Sequence, residues 1–502
     1  MDARRSILTP VMVLAFVACS ATPPVQVPPL TVATPPPAAS SSKAKPASML
    51  DTVRGLQASA LASTRATEIV ESLTKEVGGR ISGGAKDKPA VDWAMRALAR
   101  QGLAAVHMEA SKVPHWERGV ERAELILGSM PSKKGQNLTL AVTALGGSSA
   151  TPETGIEGAV VEVDSIAALE KLDPKAVAGK IIFVQRKMRR SRDGSGYGEA
   201  VGVRYAGPVR AAAKGAAAVL IRSVGTDEVA PHTGATAHDD VKVVPSGALS
   251  GADADRLHRL IEEKGTKNAI RVRLTLTPKW LPEADSFNVM GDIPGRDKDK
   301  KDEIVLMGAH LDSWDLGTGA LDDGAGCAIV MEAARLIADL PVAPRRTVRV
   351  VLFAAEELGL SGAKSYAKAH AAEMPHHVLA LEADSGTDKV FGTRYLGSPD
   401  KRARFDEVAT MLAPLGIESS DKDAFGGADI SPLRKLGVPI LDLEQDFSGY
   451  FDLHHTANDT FEHVNKEGLA QAAAAFATAA WWAAEMDGDL GRVPEDKRAT
   501  KW

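Results

Sequence analysis

The sequence predicts an α/β protein built on a mostly parallel, mixed sheet flanked by helices, with a strand-rich unit inserted into it. Three observations carry that expectation. From Asp302 onward, short apolar runs alternate with longer helical stretches, the pattern of strands joined by crossover helices. Between about residues 120 and 280 the texture changes to brief apolar runs separated by turn residues. The chain has 502 residues, more than one simple core organises, so two globular units are expected.

The elements follow in order. Arg4 and Arg5 precede an apolar run from Ile7 to Ala18 that is too short to span a bilayer stably. It ends at Phe16-Val17-Ala18-Cys19, which resembles a bacterial lipoprotein cleavage box. Residues 1–19 therefore read as a signal peptide, with Cys19 the lipidated first residue of the mature chain. Ser20 resembles the outer-membrane sorting pattern, which implies an exported lipoprotein facing the periplasm; a secreted protein cut nearby is the alternative. Residues 20–48 are rich in Pro, Ala and Ser and nearly free of charge, so they form a semi-extended tether rather than a core. With Cys19 lipidated, Cys327 has no disulfide partner.

Folded sequence begins near Leu50, and residues 49–120 form a first segment of the main domain. It holds helices over Thr64 to Val77 and Lys88 to Gln101, joined by the glycine-rich loop Gly78 to Gly84. That loop follows a helix and lacks a Lys-Ser/Thr ending, so it reads as a structural turn rather than a phosphate cradle. Residues 121–280 form the inserted unit. Its strands are Ala123 to Leu127, Leu138 to Val142, Gly158 to Val163, Lys180 to Val184, Ala216 to Arg222 and Arg271 to Leu276, with a helix over Gly207 to Lys214. Residues 281–490 resume the main domain. Strands are expected over Glu303 to Met307, Thr347 to Ala354, Val378 to Glu382 and Val438 to Leu443. Helices are expected over Gly324 to Leu340, Ser361 to Ala371, Lys401 to Leu412 and Gly468 to Met486; residues 491–502 are a tail. The chain is 44% apolar and 25% charged with net charge −5, and no basic face implies a nucleic-acid partner. The basic run Arg186 to Arg190 reads as a solvated loop, with a phosphate or lipid headgroup contact as the alternative.

Every residue type suited to a hydrolytic metal site falls where the apolar strands end. His310 follows the first such strand, and Asp312 is placed to receive its other ring nitrogen and orient it. Asp322-Asp323-Gly324 opens a helix; a helix cap accounts for one acid and leaves the other to face a metal. Glu356 and Glu357 leave the next strand together and would repel unless a cation or proton is shared. One suits a ligand and the other a general base. Asp384 ends a third strand, and His454-His455 lie in a polar loop. Imidazole and carboxylate together suit zinc, and one carboxylate can bridge two ions.

The segments HLDSWDLGTGALDDG, AAEE, EADSG and HHTANDT, in this order and spacing, resemble the co-catalytic zinc aminopeptidase family, whose fold is a zinc exopeptidase-like α/β sheet. VPHWERG, IRSV and PHTG resemble one branch of it, in which a protease-associated domain interrupts the peptidase domain. The likeness covers nearly everything from Thr64 to Met486. It implies two Zn2+ ions, with His310 and Asp384 on one, Glu357 and His455 on the other, and Asp322 between them. It implies Glu356 as the base, Asp312 as the residue orienting His310, and His454 as a group facing the oxyanion. Peptide hydrolysis on dipeptides or short peptides and a possible homodimer are further implications. A non-catalytic binding module on the same fold is the first rival, and a related amide chemistry such as glutaminyl cyclisation the second.

Overall fold

The computed structural model describes residues 48–126, 137–237, 243–264 and 270–499. The expected signal peptide, Cys19 and nearly all of the tether lie outside the described residues, as does the end of the tail.

Two eight-stranded sheets organise the described chain. The first runs in the order Ala104–Glu117, Lys279–Ile293, Thr347–Phe353, Ile304–His310, His377–Glu382, Ile440–Gln445, Val390–Leu396, Glu418–Ser419. Its centre is parallel: Ile304–His310 pairs in parallel with the strands on both sides, and His377–Glu382 does so with Ile440–Gln445. All seven residues of Ile304–His310 are buried, which is why this strand reads as an unbroken apolar run. Helix Ala325–Ala338 covers the sheet, and Lys466–Glu485 packs against it. The second of these is alanine-rich and buried almost all round, and its small side chains let the neighbouring helix Met49–Leu61 approach closely. Among the described residues, no helix is long and apolar enough to cross a membrane.

The second sheet has the order Leu138–Leu140, Glu121–Ile126, Arg271–Leu276, Ile156–Val163, Ile181–Val184, Ala218–Arg222, Ser246–Leu249, Val142–Ala144. One of its faces buries Leu125, Phe183, Leu220 and Leu274 in a cluster that Trp314 and Leu358 also join, and its other face, with Ile182 and Val219, belongs to the main core. The expected strand over Leu138 to Val142 is in fact two strands on opposite edges of this sheet. Between them the backbone N–H of Ala141 donates to Asp253 Oδ2 at 2.7 Å, so the pairing breaks there and the sheet curls until its edges are consecutive in the chain. The helix expected from Gly207 begins at Gly202 instead and carries Pro208 inside it.

A two-stranded antiparallel ribbon joins the sheets. Ala104–Glu117 pairs with Lys279–Ile293 from Ala104↔Asp292 to Glu117↔Lys279. One half of each strand, residues 104–110 and 279–285, is mostly exposed, so neither shows over its whole length the alternation that marks a half-buried strand. Pro114 is tolerated because its strand is the sheet edge. The basic run Arg186 to Arg190 is an exposed loop, as expected, and three of its cations form ion pairs at the surface. Arg190 binds Asp452 at 2.6 Å, Arg189 binds Glu199 at 2.9 Å and Lys187 binds Glu228 at 3.1 Å.

Candidate metal centre

The parallel strands all end on one side of the first sheet, and there the predicted residues converge. His310 is the last residue of its strand and is 1% exposed. Its backbone N–H donates to Asp323 Oδ2 at 3.0 Å, and Asp323 Oδ1 accepts from Gly326 N at 2.8 Å in the first helical turn that follows. Asp323 is therefore the cap, and Asp322 is the acid left to face the site. Asp322 Oδ1 lies 3.1 Å from His310 Nε2, and its Oδ2 lies 3.2 Å from His455 Nε2. One carboxylate thus faces an imidazole with each oxygen. Asp384 Oδ1 stands 3.6 Å from His310 Nε2, and Glu357 Oε2 stands 3.2 Å from His455 Nε2.

Asp312 holds His310 through its backbone: Nδ1 lies 3.1 Å from the Asp312 carbonyl oxygen and 3.5 Å from the carboxylate Oδ1. That Oδ1 also accepts the Glu356 N–H at 3.0 Å. His454 stacks on His455 with ring centroids 3.5 Å apart, and its Nε2 is 3.5 Å from Asp322 Oδ2. Two positions here have left-handed backbone without being glycine, Ala355 at φ 55° and His455 at φ 63°. Such conformations persist where the surrounding structure enforces them. The first sends the adjacent Glu356 and Glu357 in different directions; the second turns the His455 ring toward Asp322 and Glu357.

The donor set fits metal ions. His310, Asp322 and Asp384 place ligand atoms within 4.8 Å of one another, and so do Asp322, His454 and His455. Asp322 Oδ2, Glu357 Oε1 and His454 Nδ1 are buried without a hydrogen-bond partner, a costly state that coordination relieves. The electrostatics agree. Burial alone would depress the His310 pKa, but Asp312, Asp322 and Asp384 hold it well above the ordinary value. His455 is pushed up to about 9 because Glu357 and Asp322 outweigh its burial. Glu356 is raised well above the usual carboxylate range by burial, then by repulsion from Glu357 and Asp384. Converging acids that resist ionising together are a cation site in waiting.

Residues that the sequence reading left unassigned complete the surroundings. Asp459, within HHTANDT, accepts the backbone N–H of Leu321 at 2.6 Å and of Asp322 at 3.2 Å, so the motif itself positions the shared carboxylate. Arg80, in the glycine-rich loop, donates to the carbonyls of Leu311, Thr318 and Gly319 and fixes the segment between His310 and Asp322. From the second sheet come His232, whose Nδ1 donates to the His454 carbonyl at 2.8 Å, and Tyr197 and Arg204 beside the histidine pair. His232 falls within the PHTG segment, but nothing in that segment announces this role; folding brings all three in from more than a hundred residues away in the chain.

A parallel sheet that presents imidazoles and a shared carboxylate at its strand ends defines a metal-dependent hydrolase. Residues 288–480 match the model of peptidase family M28. Carboxypeptidase Q of Rattus norvegicus is 37% identical over 430 residues, 85% of this chain and 87% of that protein. The crystal structure of a peptidase M28 precursor from Shewanella amazonensis SB2B is 41% identical, covers 89% of this chain and 99% of its own, and superposes with a TM-score of 0.84. A zinc aminopeptidase from Bacillus subtilis, 20% identical, shares the fold with a TM-score of 0.61 over 86% of this chain and 98% of that one. The chain belongs to peptidase family M28 and is a metallopeptidase.

Proposed function

We propose that the protein is a di-zinc exopeptidase that hydrolyses dipeptides or short peptides. The observation that carries this reading is Asp322, a buried carboxylate with one oxygen toward His310 and the other toward His455. His310 and Asp384 would hold one zinc, Glu357 and His455 the other, with Asp322 shared. Bound there, the ions would polarise the scissile carbonyl and acidify water. Glu356 is partly exposed and has a carboxylate oxygen within 4.8 Å of a His310 ring nitrogen, which suits a base that takes a proton from the attacking water and returns it to the leaving amine. Asp312 would keep the His310 ring in orientation, and His454 would face the oxyanion. His454 also lies within ligand distance of Asp322, so it is the alternative second imidazole.

The second sheet, residues 121–280, would be the protease-associated domain, with the peptidase domain formed by residues 49–120 and 281–490. Residues 1–19 and the tether at 20–48 would deliver the protein to the outer membrane on a lipid at Cys19, and two copies would pair as a dimer.

The test is a release assay on the full chain, with metal measured on the same sample. Two zincs per chain, turnover abolished by a chelator and restored by zinc, and cleavage of dipeptides with a free amino group are expected. Turnover that survives complete removal of metal would exclude the mechanism. Metal without peptide turnover would move the proposal to another amide substrate.

A further inference from the structure

A cavity of about 90 Å³ opens beside the metal centre, walled by Leu321, Ser385, Tyr450 and Leu453 and by no residue of the second sheet. Each wall is tied to a group of that centre. Leu321 precedes Asp322, Ser385 follows Asp384, and Leu453 precedes the histidine pair. The Tyr450 carbonyl accepts the His454 backbone N–H at 3.0 Å, and its ring packs over Gly386, where a Cβ would stand 2.6 Å from it. A peptide held at the metals would have this space next to its scissile bond. Three of the four walls are apolar, which suits an aliphatic stem.

The cavity also holds a carboxylate oxygen with nothing to bind. Asp388 lines it; its Oδ1 accepts the Asn465 side-chain N–H at 2.7 Å, and Gln445 Nε2 donates to its backbone carbonyl at 2.8 Å. Those bonds orient the side chain. Asp388 Oδ2 is left over, with no hydrogen bond or ion pair among the described residues. The acids of the facing loop are matched: Asp446 binds Arg192 at 2.9 Å and Asp452 binds Arg190 at 2.6 Å. Gly449 keeps the space clear. Its φ of −108° is one that any residue adopts, so its backbone does not call for glycine. A Cβ there would have Asp388 Oδ2, at 3.9 Å, as its nearest neighbour.

We propose that this cavity is a side-chain subsite for a lysine or arginine at the amino-terminal position of the peptide, with Asp388 Oδ2 receiving the cationic head. The inference rests on the peptidase reading above. The stem would lie along Leu321, Tyr450 and Leu453, and the head would supply the donor that Oδ2 lacks. Asp388 would repel the terminal carboxylate of a dipeptide, so the amino-terminal residue is the one that faces it. Asp388 is thus a specificity-determining residue outside the expected metal set.

The test compares lysyl-alanine with norleucyl-alanine, which keeps the stem and drops the charge, on the zinc-loaded full chain at pH 8. Alanyl-lysine and alanyl-norleucine form the control pair. The lysyl substrate is expected to be favoured by about 10–100-fold in kcat/KM, and the control pair to be nearly equal. Asp388→Asn should bring the lysyl-to-norleucyl ratio toward one with zinc content intact. Gly449→Leu, which fills the cavity, should slow lysyl-alanine far more than alanyl-alanine. A wild-type ratio near one overturns the proposal, as does a lysyl preference that survives Asp388→Asn or one confined to the control pair. Calorimetry with lysyl and norleucyl analogues whose scissile bond is reduced to CH2–NH separates the two readings. Absence of turnover on every dipeptide, with the lysyl analogue still bound about 10–100-fold more tightly and through Asp388, would refute the peptidase reading and leave the cation subsite standing. Analogues bound equally would remove the subsite.

Discussion

Glu356 and Glu357 are consecutive, yet their surroundings divide the work between them. Glu357 is buried against His455, whereas Glu356 hangs from Asp312 by its backbone and keeps part of its surface open. Replacing Glu356 by Gln should therefore leave metal content unchanged and lower kcat by about 10²–10⁴-fold, read by turnover and metal analysis on one sample. Loss of metal together with activity would make Glu356 a ligand. The acids at the strand ends were legible because each interrupts the pattern of an apolar run. Arg204, Tyr197 and His232 were not, since a residue's distance from a site in another sheet leaves no trace in its own neighbours. Asp459 was in view within its motif, but its partners, two backbone N–H groups, have no sequence signature.

At the level of elements, the site depends on loops being clamped rather than on strands alone. Arg80 is fully buried and holds three carbonyls of the segment from Leu311 to Gly319. Arg80→Met keeps the bulk and removes the donors, so it should destabilise the protein by about 3 kcal/mol and weaken metal retention, measurable by denaturant unfolding and by dialysis against chelator. Unchanged stability would show that water replaces the guanidinium. The loop carrying the histidine pair is tied likewise, through Asp452 to Arg190 and through the His454 carbonyl to His232. The basic run is solvated, as its composition suggested; its surface ion pair with Asp452 is what only the tertiary fold brings near. The parallel centre of the first sheet was readable from two-face burial. The ribbon was hidden because each strand is exposed along one half, where the register comes from pairing rather than from a buried face.

For the molecule as a whole, a buried histidine outside the site contributes to the loss of stability in acid. His377, remote from the metal ligands in the sheet core, is pushed down to about 4 by burial. Its folded pKa lies below the unfolded value, so the unfolded state takes up the proton first. Its stability contribution is full above pH 6.5 and is lost as pH falls toward 4, by up to about 3 kcal/mol. His377→Gln should flatten the fall in Tm across that window; an unaltered slope would assign it to other groups. The lipoprotein reading puts the anchor at Cys19, outside the described residues. Cys19→Ala should release the protein from membranes, and retention in the membrane fraction would remove the lipoprotein reading.

The ribbon bears on how such a chain could arise. Glu117 and Lys279 are paired neighbours, so the strands that lead to and from the second sheet leave the first sheet side by side. Excising everything between them leaves two ends that a tight turn can join, and no strand of the first sheet needs a new register. Read as an insertion, the second sheet would sit at the tip of a hairpin, an addition that protein engineering could reverse. A chain without it would keep every expected metal ligand and lack Tyr197, Arg204 and His232.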